Sequence, residues 1–377
     1  MFRIIPRQDV FHFRGYLRTV LNKRKPVEEF ENKLARQLKV ENVTATGSAT
    51  LSLYLILKNI KKNKDDEVIL SGYNYYDLVN VIKYCGMNPI FVNVDEKTLL
   101  MNIDEVKEKI NKNTRAILIT HLFGFYNDVN RIKKLANNEI IIIEDCTHIF
   151  PSKLIGDFSI FSFNKWKIIN CLGGGAIASR DKNKFIMSAI REEIKGYPNP
   201  DRIEMLKRGS FNYAAKSLLS RYIFGFFVFP IVYLFGLLGI DILFDLTKDD
   251  LKNKFSNGGK LRFTELQAAI GLRMLDEIGR LNEDRKKKYV KLKNMIKNNS
   301  IKTIDSSLSP VFFPIIVKDK KRVCKKLLMR WIDSIQKYYG YSFSKNIEDN
   351  LVLLPIHHEI NDKDINYMAS VLNSIKQ

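Results

Sequence analysis

Short apolar segments alternate with amphipathic segments through the first half of the chain. Six apolar runs have the length and composition of buried strands: residues 67–72, 89–94, 115–124, 139–145, 158–163 and 175–180. Amphipathic stretches lie between several of them and predict helices, at residues 77–86, 103–112 and 128–138. This alternation is typical of a mostly parallel sheet that is covered by helices on both faces.

The pattern changes after residue 200 and divides the chain into four parts. A long amphipathic pattern covers residues 263–296, where Thr264 and Gln267 suit a capping box at the start of a helix. The tail combines a strand pattern at 309–317 with helical patterns at 320–335 and 362–377. We predict a large α/β domain (1–200), a hydrophobic insertion (201–254), a return segment with a connecting helix (255–300) and a small α+β domain (301–377).

Residues 1–45 predict an N-terminal arm followed by a helix over 27–38. The first residues, MFRIIPRQDVFHFRG, are interrupted by charge before an apolar run develops, so we expect no signal peptide and a cytoplasmic protein. The four cysteines have no metal-like spacing, which predicts reduced thiols and no metal site.

The formal net charge of the 377 residues is +21, so acidic partners have to be considered. Basic runs such as residues 285–288 fit the solvated face of a helix, and no nucleic-acid-binding motif is present. We therefore expect no specific nucleic-acid partner. Attraction to anionic lipid or to a phosphorylated substrate fits the charge better.

Residues 222–240 form an uncharged apolar stretch of 19 residues, at the lower limit of a membrane span. A simple span would place two pieces of one fold on opposite sides of a bilayer, and Pro230 with nearby glycines favours two short helices. We predict a hairpin that dips into an anionic membrane surface, which would make the protein peripheral on the inner face. Its upstream cations are Lys207, Arg208, Lys216 and Arg221. A buried hairpin in a dimer interface and a full span are the alternatives.

The stretch 161–175, FSFNKWKIINCLGGG, is the strongest candidate for chemistry. It places Ser162 and Lys167 ahead of a glycine-rich turn. Apolar neighbours lower the pKa of a lysine, and an amine with a lowered pKa can attack a carbonyl carbon. Without further support, the alternative is an ordinary solvated lysine beside a buried strand.

Two other segments supply that support. The run 140–150 predicts a buried strand that ends in Glu144 and Asp145, at the edge of the sheet where ligands bind, and a buried acid there needs a positively charged partner. The turn Gly47-Ser48-Ala49 opens an apolar helix whose first amides can bind a phosphate. An amine, an acid and a phosphate turn are the minimum set for pyridoxal 5′-phosphate (PLP).

The order of TGSATL, EDCTH, GDFSIFSFNKWK, GGGAIASRD and RFTELQAAIGLRML resembles the DegT/StrS family of PLP-dependent sugar aminotransferases. The resemblance covers nearly the whole chain except residues 200–250. It implies the type I fold of PLP-dependent transferases, which is like that of aspartate aminotransferase. That fold combines a mostly parallel sheet in a large domain with a small C-terminal α+β domain.

The resemblance also implies residue roles. Lys167 falls at the Schiff-base lysine, and Asp145 at the acid that pairs with the pyridine nitrogen. His148 falls at a position that contacts the ring oxygen of the cofactor, and Tyr75 at the aromatic residue that stacks on the ring. The phosphate contacts fall at Gly47, Ser48, Ala49 and Ser162.

Two positions leave alternatives open. Lys260 stands where the family usually has an asparagine that reaches the phosphate of a neighbouring subunit, and a lysine could serve the same phosphate as a point charge. Lys165 is a second candidate for the Schiff base, although the spacing to the glycines favours Lys167.

The resemblance implies transfer of an amino group from an amino acid, glutamate or glutamine, to a keto sugar that is nucleotide-linked, in polysaccharide or glycoconjugate synthesis. It also implies a homodimer with shared active sites. A lipid-linked or apolar acceptor at the membrane and a PLP-binding regulator without turnover are the alternatives. The related dehydratases carry histidine in place of the lysine, so Lys167 argues against that activity.

Overall fold

The computed structural model describes residues 26–164, 167–201, 207, 226–227, 229–237, 260–305, 310–336, 340–342 and 345–375. The predicted arm over 1–25, the alternative lysine Lys165 and most of the predicted insertion lie outside the described residues. Strands and helices are numbered below in chain order.

A seven-stranded, mostly parallel sheet forms the centre of the fold, in the order β1-β8-β7-β6-β5-β2-β4. Pairs among β2, β4, β5, β6 and β7 are parallel, whereas β8 runs antiparallel to both β1 and β7. The strands are β1 (Asn42–Thr46), β2 (Glu67–Ser71), β3 (Tyr73–Tyr75), β4 (Asn88–Val92), β5 (Thr114–Thr120), β6 (Ile141–Asp145), β7 (Phe158–Ser162), β8 (Gly175–Ser179), β9 (Lys302–Thr303), β10 (Phe312–Ile316), β11 (Gly340–Ser342) and β12 (Leu351–Pro355). The predicted fold class and all six predicted strands of the large domain are confirmed.

Helices cover the sheet and continue into the C-terminal part. They are α1 (Pro26–Leu38), α2 (Ala49–Ile60), α3 (Tyr76–Tyr84), α4 (Ile103–Lys109), α5 (Val129–Leu135), α6 (Lys184–Lys195), α7 (Phe229–Leu237), α8 (Glu265–Met295), α9 (Lys320–Met329), α10 (Lys345–Asn350) and α11 (Asp362–Asn373). Helix α1 buries Phe30, Leu34 and Leu38, which share one face because they are spaced by four residues. Helix α2 is apolar almost all round, since it packs between the sheet and neighbouring helices α3 and α6.

Strand β1 is absent from the sequence prediction, which assigned residues 1–45 to an arm and a helix. Its threonines are buried, and their hydroxyl groups bond partners that a local pattern cannot show. Arg191 Nε donates to Thr44 Oγ1 over 3.0 Å, and Thr46 Oγ1 lies 2.7 Å from Ser52 Oγ. A threonine-rich segment was therefore assigned to the lead-in of a turn, although it is a buried strand.

Helix α8 connects the large sheet to a small antiparallel sheet, β12-β10-β9. Its predicted capping box is present, with Thr264 and Gln267 bonding each other's backbone amides. The prediction that residues 285–288 are a solvated face is wrong for two of the four residues. Arg285 and Lys288 are buried, and Lys288 Nζ donates to the carbonyl oxygens of His357 and His358 over 3.2 and 3.1 Å.

Helix α9 is shorter than the pattern over 320–335 predicts. It ends at Met329, and Trp331 adopts a positive φ of 63°. After that turn, Ile335 bridges to Leu353 of β12. The apolar pattern continues without a break because these residues stay buried, but they do so in extended chain.

Part of the predicted hydrophobic hairpin lies within the described residues. Helix α7 packs on helix α9, and the ring of Phe229 stacks on Trp331 with centroids 4.9 Å apart and planes 16° apart. Of the four predicted upstream cations, Lys207 is described and exposed, whereas Arg208, Lys216 and Arg221 lie outside the described residues. Among the described helices, none is long and apolar enough to cross a membrane.

Candidate active site

The carboxyl ends of several strands meet at one edge of the central sheet and bring the predicted site residues together. Thr46 at the end of β1 and Ser162 at the end of β7 both pair with Gly175, the first residue of β8. Asp145 ends β6 and pairs with Thr120 at the end of β5. Ser162, Asp145 and the turn that follows β1 therefore lie at the same edge of the sheet. More than 100 residues of sequence separate this turn from Ser162.

The turn Gly47-Ser48-Ala49 has the geometry of an anion site. Ser48 is the N-cap of α2, and its Oγ accepts a hydrogen bond of 3.0 Å from the amide of Leu51. The first amides of a helix lack partners within the helix and attract negative charge. The Ser48 hydroxyl can still donate its own hydrogen, so the turn offers several donors to a phosphate.

Glycines permit the close packing on which this turn depends. A Cβ added at Gly175 would lie 2.5 Å from the amide nitrogen of Ala49 and 2.7 Å from the carbonyl oxygen of Phe161. A Cβ added at Gly47 would lie 2.3 Å from the carbonyl oxygen of Leu261. Only glycine leaves room for the strand and the turn to approach this closely.

Lys167 lies in the loop between β7 and β8, next to the buried residues Ile168 and Ile169. The loop is closed at its base because the amides of Cys171 and Gly173 both donate to the carbonyl oxygen of Phe163. Burial lowers the pKa of Lys167 to about 8, although the negative charge of Asp145 acts in the opposite direction. The structure thus brings the predicted amine and the predicted acid into one electrostatic environment.

His148 is buried beside Lys167 and is held in one orientation. The amide of Phe123 donates to His148 Nδ1 over 3.1 Å, and the two rings stack with centroids 5.9 Å apart. Burial, and then the positive charge of Lys167, hold the pKa of His148 well below its usual value. The ring is therefore neutral at pH 7, and because Nδ1 accepts a bond, its proton is on Nε2.

Tyr75 ends β3 and is half-buried at the same edge. Its amide donates to Asn74 Oδ1 over 2.8 Å, and Asn74 Nδ2 donates to Thr120 Oγ1 over 2.8 Å. Thr120 is the strand partner of Asp145, so this pair of hydrogen bonds ties the segment of Tyr75 to the predicted acid.

Sequence reasoning missed Asn74, Thr120 and Phe123 as residues that shape the site. A signal was present for Asn74, a polar residue between aromatic residues directly after a strand. Phe123 has a positive φ of 53°, an unusual backbone conformation for an aromatic residue. No local pattern indicates that its amide would orient a histidine 25 residues further along the chain.

His121 and Glu144 form a buried pair one layer behind the site. Their Nε2 and Oε2 atoms are 3.2 Å apart, and the His121 ring stacks on Tyr126 with centroids 4.4 Å apart. Cys146 is close enough to complete a possible three-ligand metal group. However, the other Glu144 oxygen accepts bonds from the amides of Ile155 and Gly156, so this pair braces the end of β6.

Taken together, these residues fit PLP. The described residues supply a lysine amine of lowered pKa, a carboxylate that acts on it, a neutral histidine, and a glycine-dependent anion turn. Residues 14–193 also match the model of the DegT/DnrJ/EryC1/StrS aminotransferase family. This segment, just under half of the chain, is similar to that family.

Two curated proteins with similar sequences are named after sugar-related enzyme activities. The chain is 36% identical over 167 residues to GDP-perosamine synthase of Escherichia coli O157:H7, an alignment that covers 42% of this chain and 46% of the relative. It is 29% identical over 175 residues to 3-oxo-glucose-6-phosphate:glutamate aminotransferase of Bacillus subtilis, with 45% and 40% covered. The chain thus matches less than half the length of these relatives.

Two solved structures share the fold over almost the full length of the chain. Helicobacter pylori PseC, an aminotransferase involved in the biosynthesis of pseudoaminic acid, has a TM-score of 0.73 at 18% identity, with 98% of both chains covered. E. coli GDP-4-keto-6-deoxy-D-mannose-3-dehydratase with bound hydrated PLP has a TM-score of 0.74 at 18% identity, with 99% and 100% covered. At 18% sequence identity, this structural similarity shows only that the fold is shared.

Lys260 stands where the resembled family usually has an asparagine. It directly precedes Leu261, whose carbonyl group packs on Gly47. Its ammonium group is 3.3 Å from the hydroxyl of Tyr54 and 4.6 Å from the centroid of that ring. Its charge also acts on Glu193. Burial alone would raise the pKa of that carboxyl, but hydrogen bonds from Tyr197 and Lys58, with the charges of Lys58 and Lys260, together lower it. The role of Lys260 toward a phosphate stays a prediction.

Proposed function

We propose that this protein is a PLP-dependent aminotransferase that moves an amino group from an amino acid, glutamate or glutamine, to a keto group of a nucleotide-linked sugar. The observation that carries the proposal is the placement of Lys167 together with Asp145 and His148, where burial lowers the pKa of Lys167 to about 8. An amine of this kind reacts with an aldehyde near neutral pH, whereas an ordinary lysine is almost fully protonated there.

The residues around the cofactor have separate tasks. When bound, PLP withdraws electrons from the carbon that carries the amino group, so that the proton on this carbon can leave. Lys167 would be the group that accepts and donates this proton, because its pKa of about 8 suits both roles near pH 7. Asp145 holds a positive charge on the nitrogen of the cofactor ring.

The binding groups lie around that centre. The first amides of α2, the Ser48 hydroxyl and the Ser162 hydroxyl, which lie on two sides of Gly175, would hold the phosphate group. His148 would donate from Nε2 to the ring oxygen, because its Nδ1 accepts from the amide of Phe123. Tyr75 would cover one face of the ring. These groups would hold the cofactor in place, and Lys167 would be left to move the proton.

The substrate class rests on the relatives, whose names include a sugar-nucleotide synthase and a sugar-phosphate aminotransferase. Lysine at position 167 favours amino transfer over dehydration. We further propose that two copies form a homodimer with shared active sites, in which Lys260 serves the phosphate of the neighbouring subunit.

The decisive experiment locates the lysine that binds the cofactor. The purified protein is incubated with PLP and treated with borohydride, and the mass-tagged peptide is sequenced by tandem mass spectrometry. We expect the tag on Lys167, its loss in Lys167→Ala, and its retention in the matched variant Lys165→Ala. A tag on Lys165 would refute the assignment.

The second half of the experiment tests turnover. The cofactor absorbance is followed while amino donors and keto-sugar nucleotides are added in turn. We expect glutamate or glutamine to convert the spectrum and a keto-sugar nucleotide to restore it. A correctly tagged Lys167 with no spectral response to any donor would instead support a PLP-binding regulator.

A further inference from the structure

Helix α7 presents a large apolar surface to solvent. Only Phe229 and Val232 of its described side chains are buried, where Phe229 stacks on Trp331. Phe227 is 71% exposed and Leu234 is 61% exposed. The exposed apolar side chains of this segment are Phe226, Phe227, Ile231, Leu234 and Phe235. Single exposed apolar residues are common, but five within ten positions mark a surface that binds something.

The helix beneath this surface is strongly basic. Helix α9, on which α7 packs, has no acidic residue, and none follows until Asp333. Its cations and the one that follows it are Lys320, Lys321, Arg322, Lys325, Lys326 and Arg330. Met329, at the end of α9, is 50% exposed and adds to the apolar area. Apolar side chains and concentrated positive charge thus belong to one pair of helices.

We infer that helices α7 and α9 form a docking surface for an anionic lipid bilayer. Apolar side chains that enter the headgroup region, together with cations that face anionic headgroups, are the two contributions that bind a protein to such a surface. A second copy of this chain fits less well, because a two-fold contact through the same face would set one basic helix against another.

The described part of α7 is short. Its nine helical residues extend over about 14 Å, which is roughly half the hydrocarbon thickness of a bilayer. We therefore place this described part of α7 in the plane of the interface. The inference does not depend on the proposed enzymatic function, because neither helix contributes a residue to the candidate active site.

Vesicle co-sedimentation of the full-length protein tests this surface. Vesicles of phosphatidylcholine alone are compared with vesicles that also contain phosphatidylglycerol. We expect binding to the anionic vesicles only. The double variant Phe227→Gln/Leu234→Gln should lower the partition coefficient at least tenfold, since two large apolar side chains no longer enter the interface. The matched control is Phe185→Gln, whose side chain is 80% exposed on helix α6.

A second variant tests the charge. Lys321→Gln/Arg322→Gln/Lys325→Gln should lower the partition coefficient roughly a hundredfold, at about fivefold for each cation. The control Lys107→Gln/Lys109→Gln/Lys112→Gln removes the same charge from another exposed surface and should change it less than threefold.

Three outcomes would overturn the inference. The first is that the unchanged protein does not bind anionic vesicles, and the second is that the control variants lose as much binding as the test variants. The third is that Phe227→Gln/Leu234→Gln changes the oligomeric state while the unchanged protein binds no vesicles. The last outcome, measured by sedimentation velocity, would assign the face to a second copy of the chain.

Discussion

At the scale of single residues, the site depends on an amine that is costly to bury. Lys167 keeps a pKa of about 8 because burial outweighs the attraction of Asp145. In the unfolded chain the pKa of a lysine is near 10.5. Between these two values the unfolded state holds more protons than the folded state, so stability rises with pH over this window.

Replacing this amine should therefore change stability in a pH-dependent way. In cofactor-free protein we expect Lys167→Met to raise the free energy of unfolding by about 1–3 kcal/mol at pH 7, because a partly buried charge is removed. The gain should shrink as pH rises from 8 to 10.5, where the native lysine loses its proton. Urea unfolding at pH 7.5 and pH 10 measures both values.

Lys112 is exposed, so Lys112→Met is the control variant. Its effect on the free energy of unfolding should be the same at both pH values. A gain for Lys167→Met that is identical at both pH values would contradict the lowered pKa of Lys167.

The sequence alone predicts the candidate reactive groups but not the contacts that orient the residues around them. Lys167 and Asp145 stand out because an amine and an acid follow apolar runs. The tautomer of His148 is set by the amide of Phe123, and Tyr75 is tied to the site through Asn74. These contacts depend on backbone geometry between distant strands, which no residue pattern records.

At the scale of elements, β8 separates the two segments that are proposed to bind phosphate. Its first residue, Gly175, pairs with Thr46 on one side and with Ser162 on the other. The approach is so close that a methyl group would meet the backbone of both neighbours. The site is therefore built on backbone packing as much as on side chains.

We expect Gly175→Ala to lower the free energy of unfolding by about 1–3 kcal/mol, since the added methyl must push the turn or strand β7 aside. It should also weaken PLP binding, because the first amides of α2 shift. Thermal unfolding and a cofactor titration measure the two effects. Gly279→Ala on helix α8 is the control, because a Cβ there meets nothing within 4 Å, and it should stabilise the protein by about 0.5–1 kcal/mol. Equal changes in stability and in PLP binding for the two variants would contradict the close packing at Gly175.

Most elements were predictable because their apolar patterns are strong, and the exceptions have physical reasons. Strand β1 was missed because buried threonines find hydrogen-bond partners such as Arg191, which is distant in sequence. Helix α9 was predicted too long because the helix ends before Trp331, which has a positive φ, while the apolar pattern of the sequence continues past it. The buried Lys288 on helix α8 was taken for a solvated cation because its carbonyl acceptors lie about 70 residues away.

At the scale of the whole molecule, the active site can be arranged in two ways. Lys260 acts either within its own chain or on the site of a neighbouring subunit. Within one chain its ammonium group lies over Tyr54. A role toward the phosphate of a neighbouring subunit, as proposed above, would require two copies and would make each site dependent on both.

Subunit mixing tests this dependence. Lys167→Ala and Lys260→Ala proteins are each assayed alone and then together after exchange of subunits. If Lys260 acts across the interface, a mixed dimer has one intact site, and activity should return to about a quarter of that of the unchanged protein. If it acts within its own chain, no intact site forms and mixing recovers nothing. The amino-transfer rate is the readout.

Helix α1 packs on helix α8, where Lys33 Nζ lies 2.5 Å from a carboxylate oxygen of Asp276, and strand β3 pairs with strand β11. Both contacts join parts of the chain that are made more than 200 residues apart. A nascent polypeptide that has left the ribosome only as far as residue 200 therefore contains Lys167 and Asp145, but lacks both of these later elements. The contacts that helix α1 and the strand of Tyr75 make with them can thus form only late in biosynthesis.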